Sequence, residues 1–353
     1  MRSRGRAGWC AIALWAAATG FRVAAAGACC TALPPDNTIL IADQEVLIVW
    51  DAETGTEHFI RRASFQSGGK PSAFGFLVPT PSIPELATAD NAAFDHLREM
   101  MEPKIVTVHD VEWSLLLAMQ PRMGLTRYAA GVGSANLSSR VLVISQSRVG
   151  AYEATVLEAD DPAALMEWLG DHGFEARPEV QDWVTPYVES RWKITAFSYK
   201  PLPGNASVAT EAVRMTFATD RPVFPYRVPS DNRTGGSTLR LFYIGEGRGS
   251  AMLGGSAWGA PTVFAARRGK DLRKALKDAV PEAGKLPAGS WLSVFEDETW
   301  PGGKDDLYFQ RATEQASIEP PPFYQHKKVL IPLDVMFVLG SAGLLAVWGR
   351  RRR

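Results

Sequence analysis

Cysteine is scarce in this chain, three in 353 residues, and Cys10 falls inside the first apolar run. A disulfide framework is therefore excluded, and a hydrophobic core must hold the fold. Histidine is scarce too: none of the five has a partner at zinc-ligand spacing, and there is no H-E-x-x-H, so no metal is expected. The glycine-rich stretch Gly245, Gly247, Gly249, Gly254, Gly255 and Gly259 lacks G-x-x-x-x-G-K-[ST]. Ser250 stands where G-x-G-x-x-G needs its third glycine, and Trp258 fills the last place of G-x-S-x-G around Ser256. A flexible loop is expected there, with no nucleotide or other cofactor.

What the chain does have is two distinctive ends. Arg2, Arg4 and Arg6 precede an uncharged run from Ala7 to Phe21 and small residues from Ala24 to Ala28. That order predicts a secretory signal peptide over 1–28, cleaved before Gly27 or before Cys29. The arginines are not a consecutive pair, which argues against twin-arginine export. At the other end, Val329 to Trp348 carries one charge, Asp334, and is followed by Arg350, Arg351, Arg352 and Arg353. Twenty helical residues span about 30 Å, roughly one hydrocarbon core. The segment is predicted as a single transmembrane helix with the arginines cytoplasmic and the bulk of the chain outside. Phe323, Tyr324 and Trp348 are placed for the two interfaces.

The overall balance of 38 basic and 38 acidic residues conceals an asymmetry. Setting aside Arg2, Arg4, Arg6, Arg22, Lys327, Lys328, the four terminal arginines and Asp334 leaves 28 basic against 37 acidic, a net charge of −9. An acidic body lacks the clustered cations that a phosphate backbone requires, so no nucleic-acid partner is expected.

Between the ends the patterning predicts an α+β region, β-rich and mixed or antiparallel, with a few helices, over 29–312. Ile39 to Trp50 and His58 to Phe65 flank a turn at Asp51 to Gly55 and read as a hairpin. Phe74 to Val78 reads as a strand ended by Pro79 and Pro81. Asp90 opens a helix carrying Phe94, Leu97 and Met101, which Pro103 stops, and Lys104 to Trp113 returns to strand. Gly131 to Ser139 is the candidate linker and a point of subdivision. Strands follow at Val141 to Ile144 and Ala151 to Leu157. Asp161 and Pro162 then open a helix with Leu165, Trp168 and Leu169 on one face and Gly173 at its end. A second helix aligns Val180, Trp183, Val184 and Tyr187. Further strands are expected at Lys193 to Tyr199, Val213 to Ala218, Thr238 to Ile244 and Trp291 to Phe295, with a helix at Asp271 to Ala279. Residues 313–328, containing Pro320, Pro321 and Pro322, read as an extended stalk ahead of the membrane helix at 329–348 and a basic tail at 349–353.

Few side chains propose chemistry. His109, Asp110 and Glu112 cluster in sequence, but alternation along a strand sends His109 to the face opposite the two carboxylates. His96 falls on the polar side of its helix, His172 reads as a helix-end cap, His58 lies in a strand, and His326 begins the basic flank. Glu296, Asp297, Glu298, Asp305 and Asp306 surround Gly302 and Gly303 without EF-hand spacing and read as a solvated acidic turn. Cys29 and Cys30 are the least ordinary pair. Their alternatives are a lipid site on Cys29, an adjacent-residue disulfide, a link to another chain, or two reduced thiols.

Three stretches together carry a resemblance: Cys29-Cys30 leading into Asp43 to Asp51 (DQEVLIVWD), Gly75 to Leu86 (GFLVPTPSIPEL), and Val149 to Phe174 (VGAYEATVLEADDPAALMEWLGDHGF). They resemble the bacterial domain-of-unknown-function family twenty-three thirty, which implies export and a membrane-anchored architecture but supplies no activity or catalytic residue. The expectation is a membrane-anchored extracytoplasmic protein of the bacterial envelope, non-enzymatic, that contacts membrane lipid through its C-terminal helix and binds or scaffolds an envelope protein, glycan or lipid. The alternative is an envelope hydrolase whose site is assembled from residues distant in sequence.

Overall fold

The computed structural model describes residues 31–32, 39–67, 74–114, 144–174, 176–199, 212–230, 238–298, 303–332, 348 and 351. Its centre is a seven-stranded sheet in the order β15 (Thr262–Arg267), β16 (Trp291–Asp297), β12 (Thr238–Gly245), β2 (Ile39–Asp51), β3 (Thr56–Ser67), β10 (Ala212–Ala218), β5 (Glu85–Ala89). All neighbours are antiparallel except β12 and β2, which makes the sheet mixed. The hairpin read at the start of the chain is β2 and β3, closed by a turn in which Gly55 takes a positive φ. Val46, Leu47, Ile48 and Val49 are consecutive and all buried, because both faces of β2 are covered.

One face of this sheet, with Val46, Ile48, Phe59, Met215, Leu241 and Tyr243, packs against two further sheets. The first orders β1 (Thr31–Ala32), β4 (Phe74–Thr80), β9 (Lys193–Tyr199), β8 (Tyr152–Leu157), β7 (Ser145–Val149). The second orders β11 (Val223–Phe224), β17 (Leu307–Arg311), β13 (Gly249–Leu253), β14 (Ser256–Ala257). The opposite face, with Leu47, Val49, Ile60, Phe242 and Val294, is covered by α1 (Ala92–Met101) and α4 (Gly269–Ala275). The outer face of the five-stranded sheet, with Leu77, Leu157 and Ile194, carries α2 (Pro162–Asp171) and α3 (Pro178–Glu189).

The helix ends form as their residues dictate. The Asp90 carboxylate accepts from the Ala92 N–H at 2.9 Å, and Asp161 accepts from Ala164 N–H at 3.2 Å with Pro162 in the first turn. Gly173 leaves α2 at φ +79°. Phe94 and Leu97 on α1, and Val180, Trp183, Val184 and Tyr187 on α3, are buried as their spacing requires.

Some boundaries differ from the sequence reading. Strand β7 covers Ser145–Val149, a largely polar stretch on a sheet edge that alternation of apolar residues could not reveal; of the strand expected at Val141 to Ile144 only Ile144 is among the described residues. Strand β4 continues through Pro79, opposite Ile194, and the described residues of β1 pair with Gly75 and Phe76. The fourth helix covers Gly269–Ala275, with a 3-10 turn at Pro281–Lys285 taking up the following residues.

The last described segment forms a separate two-stranded parallel ribbon, β6 (Ile105–Ser114) with β18 (Phe323–Pro332). The residues read as a stalk lead into it along the body: Ile318 and Ala265 exchange two backbone hydrogen bonds of 2.7 Å, and Gln315 accepts from Arg248 N–H at 2.9 Å. Val329 to Pro332, the first turn of the helix expected from hydropathy, complete strand β18. No helix among the described residues is long and apolar enough to cross a membrane. The expected signal peptide, Cys29 and Cys30, the linker at 131–139, and residues 333–347 of the expected membrane helix lie outside the described residues.

Candidate functional site

The acidic turn is dispersed by folding. Asp306 is buried, and its Oδ1 accepts from Tyr187 OH at 2.7 Å and from the Arg227 N–H at 3.3 Å, while Oδ2 lies 3.2 Å from Arg227 Nε. Burial pushes this carboxyl above its ordinary range, and the donors from Tyr187 and Arg227 pull the other way. With Trp183 donating to the Arg227 carbonyl at 2.9 Å, the group fastens α3 to the segments before β12 and β17. Asp297 is also buried and accepts from Tyr226 OH at 2.6 Å; burial and this carboxylate raise the Tyr226 phenol. Glu296 pairs with Arg240 at 2.6 Å. The expected solvated turn is thus corrected for Asp297 and Asp306, whose partners lie some 70 and 120 residues away in the chain. Among the described residues no three His, Cys, Asp or Glu side chains converge on a metal position.

The glycine-rich stretch is a hairpin rather than a phosphate cradle. Gly254 and Gly255 take positive φ in the turn between β13 and β14. At Gly249 a Cβ would stand 2.4 Å from the Tyr243 ring, and its N–H donates to Ser293 Oγ at 2.8 Å. These glycines permit close packing and one tight turn.

Of the histidines, His172 caps α2 as expected, its Nδ1 2.8 Å from the Trp168 carbonyl and its ring stacked on Trp168. His96 is exposed beside Glu99. His58 differs, being buried in β3 on the face covered by α4. Its Nδ1 lies 3.0 Å from Thr216 Oγ1, and its Nε2 faces Glu282 Oε2 at 3.9 Å. Burial lowers the imidazole pKa, with Glu282 opposing and Arg214 reinforcing, so the ring is neutral at pH 7. A hydroxyl, a neutral imidazole and a carboxylate in line are the components of an activated nucleophile. The carboxylate, however, is beyond hydrogen-bond reach, and the hydroxyl belongs to a residue paired within the sheet. Sequence spacing could not assemble this set, because Thr216 and Glu282 lie 158 and 224 positions after His58.

The remaining feature is on the ribbon. Ile105 is 69% exposed, Phe323 64%, Tyr324 57% and Val106 39%; four of the seven large exposed apolar residues among the described residues therefore sit at one end of this small element. An open groove of about 500 Å³ follows, lined by Thr107, His109, Gln325, His326 and Lys327. His326 Nδ1 lies 2.9 Å from Asp110 Oδ2, and His109 is apart from that carboxylate, as strand alternation requires. The ribbon's base is held by Glu319, which pairs with Arg268 at 2.5 Å and Lys104 at 3.2 Å, and by Phe323 N–H donating to the Lys104 carbonyl at 2.9 Å.

A family model described as an uncharacterized protein conserved in bacteria (DUF2330) matches residues 23–268, more than half of the chain. The chain belongs to that family. The DUF2330 match takes in Cys29, Cys30 and the other stretches that carry the resemblance, and stops before β16, β17 and β18. No curated protein matches. Solved structures that are similar include baculovirus P35, with a TM-score of 0.37 and 5% identity over 67% of this chain and 80% of that one. A mutated baculovirus P35 after caspase cleavage has a TM-score of 0.31 and 7% identity over 57% of this chain, which spans 66% of its length. Likenesses at this level carry no argument about what a DUF2330 chain does.

Proposed function

We propose that this protein is a membrane-anchored extracytoplasmic binding or scaffolding protein of the bacterial envelope, held by the apolar segment that follows β18. The observation that carries the reading is the ribbon, where exposed apolar residues collect on an element that runs directly into residues 335–348 and the four arginines. The side chains that suggest chemistry elsewhere are engaged in joining elements: Asp306 with Tyr187 and Arg227, Asp297 with Tyr226. The test is fractionation of cells expressing the full chain and a chain lacking 335–353. The full chain goes to the membrane fraction and the shortened chain is released. Retention of the shortened chain counts against the C-terminal anchor and makes lipid on Cys29 the leading explanation.

The hydrolase reading has one specific observation behind it, the approach of His58 to Thr216 and Glu282. It requires Glu282 to move within hydrogen-bond reach. Hydrolysis of activated esters that is abolished by Thr216→Ala would favour this reading; activity unchanged by that substitution would remove it.

A further inference from the structure

Among the described residues the parallel strands β6 and β18 pair with no third strand. Parallel sheets are normally covered on both faces, and a two-stranded sheet is marginal without a surface to pack on. The register places Ile105 opposite Phe323 and Val106 opposite Tyr324. Since successive residues point to opposite faces, the ribbon presents an exposed apolar pair on each face at the same level. A second copy or a docked sheet would cover one of these faces and leave the other wet. A medium that surrounds the ribbon covers both.

Composition points the same way. Beyond the apolar pairs, Lys327 and Lys328 lie opposite His109 and Asp110, and their charge is balanced by Asp110 and Glu112 on β6. Aromatic rings beside lysines are the composition of a bilayer interface, where long cationic stems reach headgroups while rings occupy the boundary. The ribbon is also continuous with the uncharged run Val335 to Trp348. We infer that the β6–β18 ribbon lies in the interfacial region of a lipid bilayer, with Ile105, Val106, Phe323 and Tyr324 in the polar–apolar boundary. The inference rests on the anchoring reading and adds a second membrane contact to it.

The test uses the full chain in vesicles of phosphatidylethanolamine and phosphatidylglycerol, carrying a photoreactive benzophenone side chain at 105, at 323, or at the control position 83. Ile83 is similarly exposed but lies on the body. Irradiation gives several-fold more lipid adduct at 105 and 323 than at 83. Equal labelling at all three positions, or crosslinking at 323 to a second copy of the chain, overturns the inference. Co-sedimentation is read on the same samples: a protein that sediments with vesicles but is unlabelled at 323 sinks the ribbon contact alone. One that fails to sediment sinks the anchor as well.

Discussion

The β2 run Val46 to Val49 and the ribbon pair Ile105–Phe323 use the same kinds of residue for opposite ends. In β2, strands on both sides and layers on both faces remove every side chain of the run from water. In the ribbon, two strands carry comparable apolar residues with no layer over either face among the described residues. Apolar content alone therefore does not define the core of this protein; what defines it is the number of layers the topology brings to each strand.

The sharpest way to break the comparison is a matched pair of truncations. Phe242→Ala, in the middle of the central sheet and packed on Phe94, should cost about 3 to 5 kcal/mol. Phe323→Ala should stay within about 0.5 kcal/mol in detergent-free solution, as exposed positions do. Denaturant unfolding of the two variants checks both, and a large loss for Phe323→Ala would mean that the ribbon is packed.

Next in size is the clasp on α3. Tyr187→Phe removes a donor to buried Asp306 and should cost about 1 to 3 kcal/mol, again by denaturant unfolding. Two glutamates then give pH signatures of opposite sign. Burial holds Glu57 protonated well above the ordinary carboxyl range; Val223 N–H donates to one oxygen at 2.8 Å and the other has no partner. Because its folded pKa is raised, its contribution is intact below the unfolded value near 4.5 and is lost as pH rises through the folded value. Glu57→Gln should flatten that decline and raise the melting temperature at pH 8 more than at pH 4. At the ribbon base, partial burial pushes Glu319 up, but hydrogen bonds from Arg268 and Lys104 hold it below the usual range. Its contribution is present above about pH 4.5 and is lost as pH falls through the folded value. The pair is partly exposed, so Glu319→Gln should cost no more than about 1 kcal/mol, and limited proteolysis near 319–323 should detect it more clearly at pH 7 than at acid pH.

Much of the fold was legible. The hairpin of β2 and β3, helix α2 between Asp161 and Gly173, and strands β9, β10, β12 and β16 follow from periodicity and cap residues that act locally. The short strands β11, β13, β14 and β17 were not read, because two to five residues carry too little pattern to be told from loop. The same locality explains the candidate site. The His172 cap could be read from its neighbours, whereas the partnership of Asp306 with Tyr187, and of His58 with Thr216, is made by folding across more than a hundred residues. The acidic turn was misread because charge in sequence does not report which carboxylates a neighbouring layer will cover.

Hydrogen exchange on the full chain, compared between lipid vesicles and detergent-solubilised protein, tests the contrast between body and ribbon most directly. Amides of β2, β3 and β12 should exchange slowly and equally in both, while those of 105–110 and 323–329 should slow markedly only in vesicles. Ribbon amides that exchange at the same rate in both media, or central strands whose protection depends on lipid, would contradict it.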